Sequence, residues 1–133
     1  MKVFVDTSAF FALLSGSDRR HGEAAGIWNG LLESPAEMET HNYVVLESAS
    51  LAQRRLGFKA AEAFFDSLLK VVHVRWIDED LHRRAEGAFR TAGRKTLSLV
   101  DCASFEIMRS RSIGTAFAFD AHFEENGFAV LKP

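Results

Sequence analysis

The chain has 133 residues, 47% of them hydrophobic and 26% charged, with a formal net charge of −2. That length suits one domain over residues 1–133, which buries about two thirds of its unfolded surface and needs no staple to fold. The charge balance excludes wholesale electrostatic adhesion to nucleic acid, the single cysteine, Cys102, excludes an internal disulfide, and no apolar run is long enough to span a bilayer.

Val3-Phe4-Val5 has the β-branched and aromatic character of a buried strand. It stops on Asp6, and a second apolar segment, Ala9 to Leu14, follows almost at once as a helix. Ser15-Gly16-Ser17-Asp18 reads as a turn. Residues 19 to 33 form a helix whose buried side is Ala24, Ala25, Ile27, Trp28, Leu31 and Leu32, ended by Ser34-Pro35. Glu37 to Thr40 is a short second strand. Thr40-His41-Asn42 caps a helix from Tyr43 to Leu56 that Gly57 stops, and another helix runs from Phe58 to Leu69.

Val71 to Ile77 is a third strand, and Asp78 caps a helix to about Ala92. Gly93 to Thr96 is a basic turn. Ser98 starts a helix to about Arg111. Ala116 to Phe119 is a fourth strand ending on Asp120, and a helical turn to Gly127 leads into a last strand, Phe128 to Leu131. Strands alternate with helices throughout, which predicts an α/β fold with a mostly parallel sheet covered on both faces. No secretory n-region precedes the first strand, so a cytoplasmic protein is expected.

Four acids stand out. In an open parallel sheet, ligands bind outside the carboxyl ends of the strands, where Asp6 and Asp120 fall. Each also suits the simpler task of capping the helix that follows. Glu47 has Val44 and Leu51 as helical neighbours, which places it on an inward stripe. A salt bridge to an arginine is the plainer account of a glutamate there. Asp101 has Leu97, Phe105 and Met108 as neighbours, and stands three residues after Ser98 in a capping-box spacing. Together the acids would repel and raise one another's pKa unless a cation compensates. An oxygen-only set with no Cys/His cluster favours Mg²⁺ or Mn²⁺ over Zn²⁺. Such a site can polarise a phosphodiester and activate water.

These residues resemble the PIN domain, a metal-dependent nuclease family, and within it the small VapC-type toxins of toxin–antitoxin pairs. The resemblance rests on VFVDTSAF at the start, Glu47 in the helix after the second strand, SLVDC around Asp101 and AFAFDAHF around Asp120. It implies a three-layer α/β/α domain with strand order 3-2-1-4-5 and a Mg²⁺-dependent endoribonuclease. Asp6, Glu47, Asp101 and Asp120 would form the catalytic set, with Asp6 and Asp101 as metal ligands and Ser8 and Ser98 supporting them. A protein antitoxin and a homodimer are the implied partners, besides the RNA substrate. His122 stands where many family members have a further acid, and neither Glu124 nor Glu125 is an obvious substitute for it.

Arg83, Arg84, Arg90, Arg94 and Lys95 make a basic segment ahead of the Asp101 helix. Together with His122 they are candidate RNA contacts, although a solvated helix face and turn explains them equally well. Arg54-Arg55 has the same two readings. A phosphoryl-acceptor role for Asp6 fits less well, since the second acid expected two residues on is replaced by Ser8. The remaining alternative is a PIN-like RNA- or protein-binding module without catalysis.

Overall fold

In a computed structural model describing residues 1–133, the central strand is β1 (Lys2–Val5). On one side it pairs with β2 (Glu37–His41), which pairs in turn with β3 (His73–Arg75). On the other side come β4 (Thr115–Phe117) and β5 (Ala129–Val130). Every pairing is parallel, and the order is 3-2-1-4-5, as the resemblance implied. Seven helices flank the sheet: α1 (Thr7–Leu14), α2 (His21–Leu32), α3 (Asn42–Leu56), α4 (Phe58–Ala63), α5 (Glu79–Ala92), α6 (Leu99–Ser110) and α7 (His122–Glu125). Val3, Phe4 and Val5 are all buried, the continuous apolar run that a strand covered on both faces requires.

Several elements depart from the expected bounds. The helix expected over Phe58 to Leu69 is regular only to Ala63, widens into a π-helical turn over Phe64–Leu68 and tightens over Leu69–Val71. The widened turn keeps Phe64 fully buried, edge-on to Phe10 at 5.0 Å, while Leu68 and Leu69 still reach the core. β3 is shorter than Val71 to Ile77, and Trp76 beyond it is exposed. β4 stops at Phe117 because the Phe119 amide leaves the ladder and donates to Ser8 Oγ (2.9 Å).

Two buried polar groups hold the sheet to its helices. Glu39 on β2 is only 1% exposed and accepts from two arginines, Arg75 of β3 and Arg111 at the end of α6. These guanidiniums outweigh desolvation and hold its carboxyl at about 2, below the usual range.

His41, fully buried, is the N-cap of α3: its Nδ1 accepts from the Tyr43 and Val44 amides. Its Nε2 lies 2.8 Å from Ser104 Oγ, whose own hydrogen goes to Val100 O. The imidazole is therefore neutral with its proton on Nε2, and burial drives its pKa down to about 3. One side chain thus ties the start of α3 to α6. His41→Ala is expected to lose about 2–4 kcal/mol in urea denaturation at pH 7, since it removes a cap and leaves a cavity. His41→Asn, whose amide oxygen takes over the cap, should recover part of that loss.

Candidate active site

Asp6 has extended backbone (φ −93°) at the end of β1, and its Oδ2 accepts from the Ser8 amide (3.1 Å) and the Ser8 hydroxyl (2.6 Å). The same hydroxyl accepts from the Phe119 amide, so Ser8 fastens the start of α1 to the segment leading to Asp120. The capping role and the rim position expected of Asp6 are both realised. The residue is buried, and desolvation raises its carboxyl to about 7; the Ser8 bonds offset part of this, and the fields of Asp101 and Asp120 add to it.

Asp101 also does two things. Its amide donates to Ser98 Oγ (3.0 Å) and its Oδ2 accepts from the Ser98 amide (3.1 Å), a complete capping box at the start of α6. It too is buried, and desolvation raises its pKa; the Ser98 bonds and the His122 field work against the shift, and the Asp120 field works with it. Asp120 is half-buried, and its Oδ1 accepts from the His122 amide (2.9 Å).

Glu47 differs from expectation. It is exposed, and neither lies in the core nor pairs with an arginine. The buried stripe of α3 is Val44, Ser48 and Ala52, and Ser48 Oγ donates to Thr7 Oγ1 (3.3 Å). Glu47 is one residue off that stripe, which turns it toward the same hollow as the aspartates. Asp6, Glu47, Asp101 and Asp120, with Ser8 and Ser98, all line one crevice of about 620 Å³. Thr7, Ser50, Leu51, Arg54 and Thr96 line it too. From the sequence, Arg54 is a candidate RNA contact, but Thr7, Ser50, Leu51 and Thr96 have no expected place there, although Ser50, Leu51 and Arg54 follow Glu47 at helical spacing.

The donor set fits a hard dication. Oδ1 of Asp6 and of Asp101 receives no hydrogen bond, and neither is sealed from the crevice, since no buried side-chain oxygen lacks a partner. Both acids are buried, which raises their pKa values chiefly by desolvation, and neither forms an ion pair with an arginine or lysine. No three His, Cys, Asp or Glu side chains close into a cage. An open site of this kind suits Mg²⁺, which keeps several waters and takes one or two carboxylates.

The basic segment does not line the crevice, although Thr96, directly after it, does. Arg83, Arg84 and Arg90 pair along α5 with Glu79, Asp80 and Glu86 one turn earlier, and none of them lines the crevice. Arg94 pairs with Glu125 (3.5 Å), and Lys95 stays outside the lining. His122 also stays outside it. Its Nδ1 meets Glu125 Oε2 (3.1 Å) and its Nε2 meets the Thr96 carbonyl (2.9 Å). Desolvation disfavours its charge, but Glu125, Asp120, the Thr96 carbonyl and Asp101 together raise its pKa. A ring with acceptors at both nitrogens is a strut between α7 and the loop before α6.

The sequence matches the PIN domain family over residues 3–129. The 23S rRNA-specific endonuclease VapC20 of Mycobacterium tuberculosis is 36% identical over 132 residues, 98% of this chain and 98% of that one. The crystal structure of M. tuberculosis VapC20, described as a sarcin-ricin loop cleaving toxin, is similar with a TM-score of 0.86 at 38% identity, covering 98% of this chain and 99% of that one. VapBC2 from Rickettsia felis, bound to a DNA fragment from its promoter, shares the fold at 9% identity, with a TM-score of 0.72 over 98% of both chains. FitAcB from Neisseria gonorrhoeae does so at 18% identity, with a TM-score of 0.70 over 100% of this chain and 98% of that one. No helix is long and apolar enough to cross a membrane. With acids from four separate segments lining one crevice beyond the carboxyl ends of β1 and β4, and with a family match and a relative that both run nearly end to end, this chain belongs to the PIN-domain family.

Proposed function

We propose that this chain is a Mg²⁺- or Mn²⁺-dependent endoribonuclease of the VapC type, a single domain over residues 1–133 that acts in the cytoplasm as the toxin of a toxin–antitoxin pair. The observation that carries the reading is the convergence of Asp6, Glu47, Asp101 and Asp120 on one crevice, two of them buried without a cationic partner. The relative's name adds RNA as the substrate class, and 23S rRNA is the first RNA to try. A protein antitoxin is supported by the VapBC complexes among the structural neighbours. A homodimer is supported by an exposed apolar groove of about 560 Å³ between α3 and the turn after α4, lined by Tyr43, Leu46, Phe65 and Trp76 among others.

Asp6 and Asp101, each with one carboxylate oxygen free of hydrogen bonds, would hold the cation, and the more open Glu47 and Asp120 would act through water or hold a second ion. Bound there, the cation supplies Lewis-acid polarisation of the phosphoryl group and a lowered pKa for an attacking water. Ser8 and Ser98 fix the two carboxylates by donating to one oxygen of each and leaving the other free. Because those bonds exist before any substrate arrives, the acids need no rearrangement during the reaction. RNA is taken in single-stranded or looped form, since the deep groove of an A-form helix admits few side chains.

Purified protein with Mg²⁺ or Mn²⁺ is expected to cut 23S rRNA, and EDTA to stop the cutting. Intact RNA with both metals present would remove the nuclease reading in favour of a silent binding module.

A further inference from the structure

We propose that Arg54 is a substrate-positioning residue that holds an RNA phosphate next to the one being cut; this rests on the nuclease reading above. Glu47, Ser50, Leu51 and Arg54 follow one another along one face of α3 and all line the crevice. Among the lining side chains, Arg54 is the sole cation, set against four acids. It nevertheless makes no ion pair with any of them, nor any hydrogen bond. Most arginines of the chain are committed to acids, while Arg19, Arg55 and Arg109, like Arg54, make no ion pair but do not line the crevice. Arg20, Arg75, Arg83, Arg84, Arg90, Arg94 and Arg111 each lie within ion-pair distance of an acid. Arg54 is exposed and has no structural partner.

An acidic crevice repels the polyanion it must admit. A free guanidinium at its edge answers that repulsion, and its planar fork suits two phosphate oxygens at once. Arg54 stands two turns beyond Glu47, about 10 Å along the helix axis. A phosphate held there is therefore a neighbour of the reacting one, and the contact fixes the register of the strand.

The simpler account is that arginine suits the last turn of a helix, where the backbone dipole favours a cation. Arg55 provides the control. It is in the same last turn, is also exposed and likewise lacks an ion pair, but it does not line the crevice.

The test compares Arg54→Ala, Arg54→Lys and Arg55→Ala for cleavage of an RNA oligonucleotide with Mg²⁺. In parallel, fluorescence anisotropy follows binding of the same RNA over a range of salt, with each substitution placed in an Asp6→Asn background. Arg54→Ala should raise KM about tenfold with kcat nearly unchanged, and lower the slope of log affinity against log salt by about one. Arg54→Lys should recover part of the affinity, and Arg55→Ala should match its parent. Equal effects of Arg54→Ala and Arg55→Ala, or unchanged RNA binding in both, would overturn the inference, as would a protein that binds no RNA. If the wild type cuts nothing while Arg54→Ala alone weakens RNA binding, the nuclease reading falls and the phosphate contact stands.

Discussion

Asp6→Asn is expected to abolish RNA cleavage while making the fold more stable. Under the function proposed above, the substitution removes a metal ligand and its charge, an effect of at least about a thousandfold. The gain in stability follows from burial. Folding raises the Asp6 carboxyl from 3.8 to about 7, so the folded state prefers the proton. Below pH 4 the group is protonated in both states and has no effect. As pH rises from about 4 to about 7 the unfolded chain releases its proton first, and the folded state loses stability, on the order of 4 kcal/mol in full. Asparagine keeps an oxygen for the Ser8 amide and hydroxyl and carries no charge, so the cap survives and the penalty does not. Calorimetry should show a melting temperature several degrees above wild type at pH 7.5, with the difference shrinking toward pH 4. Added Mg²⁺ should raise the wild type toward the variant and leave the variant unmoved. A variant that melts below wild type at pH 7.5 would contradict the account.

Glu39 is the opposite case, a buried acid whose charge is matched. Arg75→Ala combined with Arg111→Ala is expected to destabilise the fold by about 3–5 kcal/mol, because an ionised carboxylate is then left inside without a partner. In the native protein its pKa is lowered from 4.5 to about 2, so the stability it contributes is complete above pH 4.5 and is lost as pH falls toward 2. Adding Glu39→Leu to the double variant should restore most of the loss, since an apolar side chain asks for no counter-charge. Urea denaturation of the double and triple variants at pH 7 measures both effects. Equal stability of the two would mean that Glu39 draws nothing from its arginines.

Asp6, Asp101 and Asp120 were legible because each stands at a boundary between elements, where turn chemistry and a parallel sheet together dictate position. The strand order came only with the family resemblance. Glu47 lines the crevice, but from an exposed position rather than from the inward face the sequence suggests. The inward stripe of α3 is Val44, Ser48 and Ala52; Ser48 and Ala52 look neutral to hydropathy, so joining Val44 to the apolar Leu51 instead shifts the expected face toward Glu47. Glu39 escaped notice because its partners lie 36 and 72 residues away, and a short strand does not advertise them. The surface pairs along α5 were written in the spacing of Glu79 with Arg83, Asp80 with Arg84 and Glu86 with Arg90. Counting the positive charges alone hid that they were already matched.

Asp6 and Asp101 each use one oxygen to begin a helix and leave the other to the crevice. Asparagine serves the first purpose as well as aspartate, and a single nucleotide change in one codon separates the two residues. A lineage carrying this scaffold can therefore fall silent as an enzyme in one step while keeping its shape and surface. The product would be a decoy, still able to occupy whatever binds the active form.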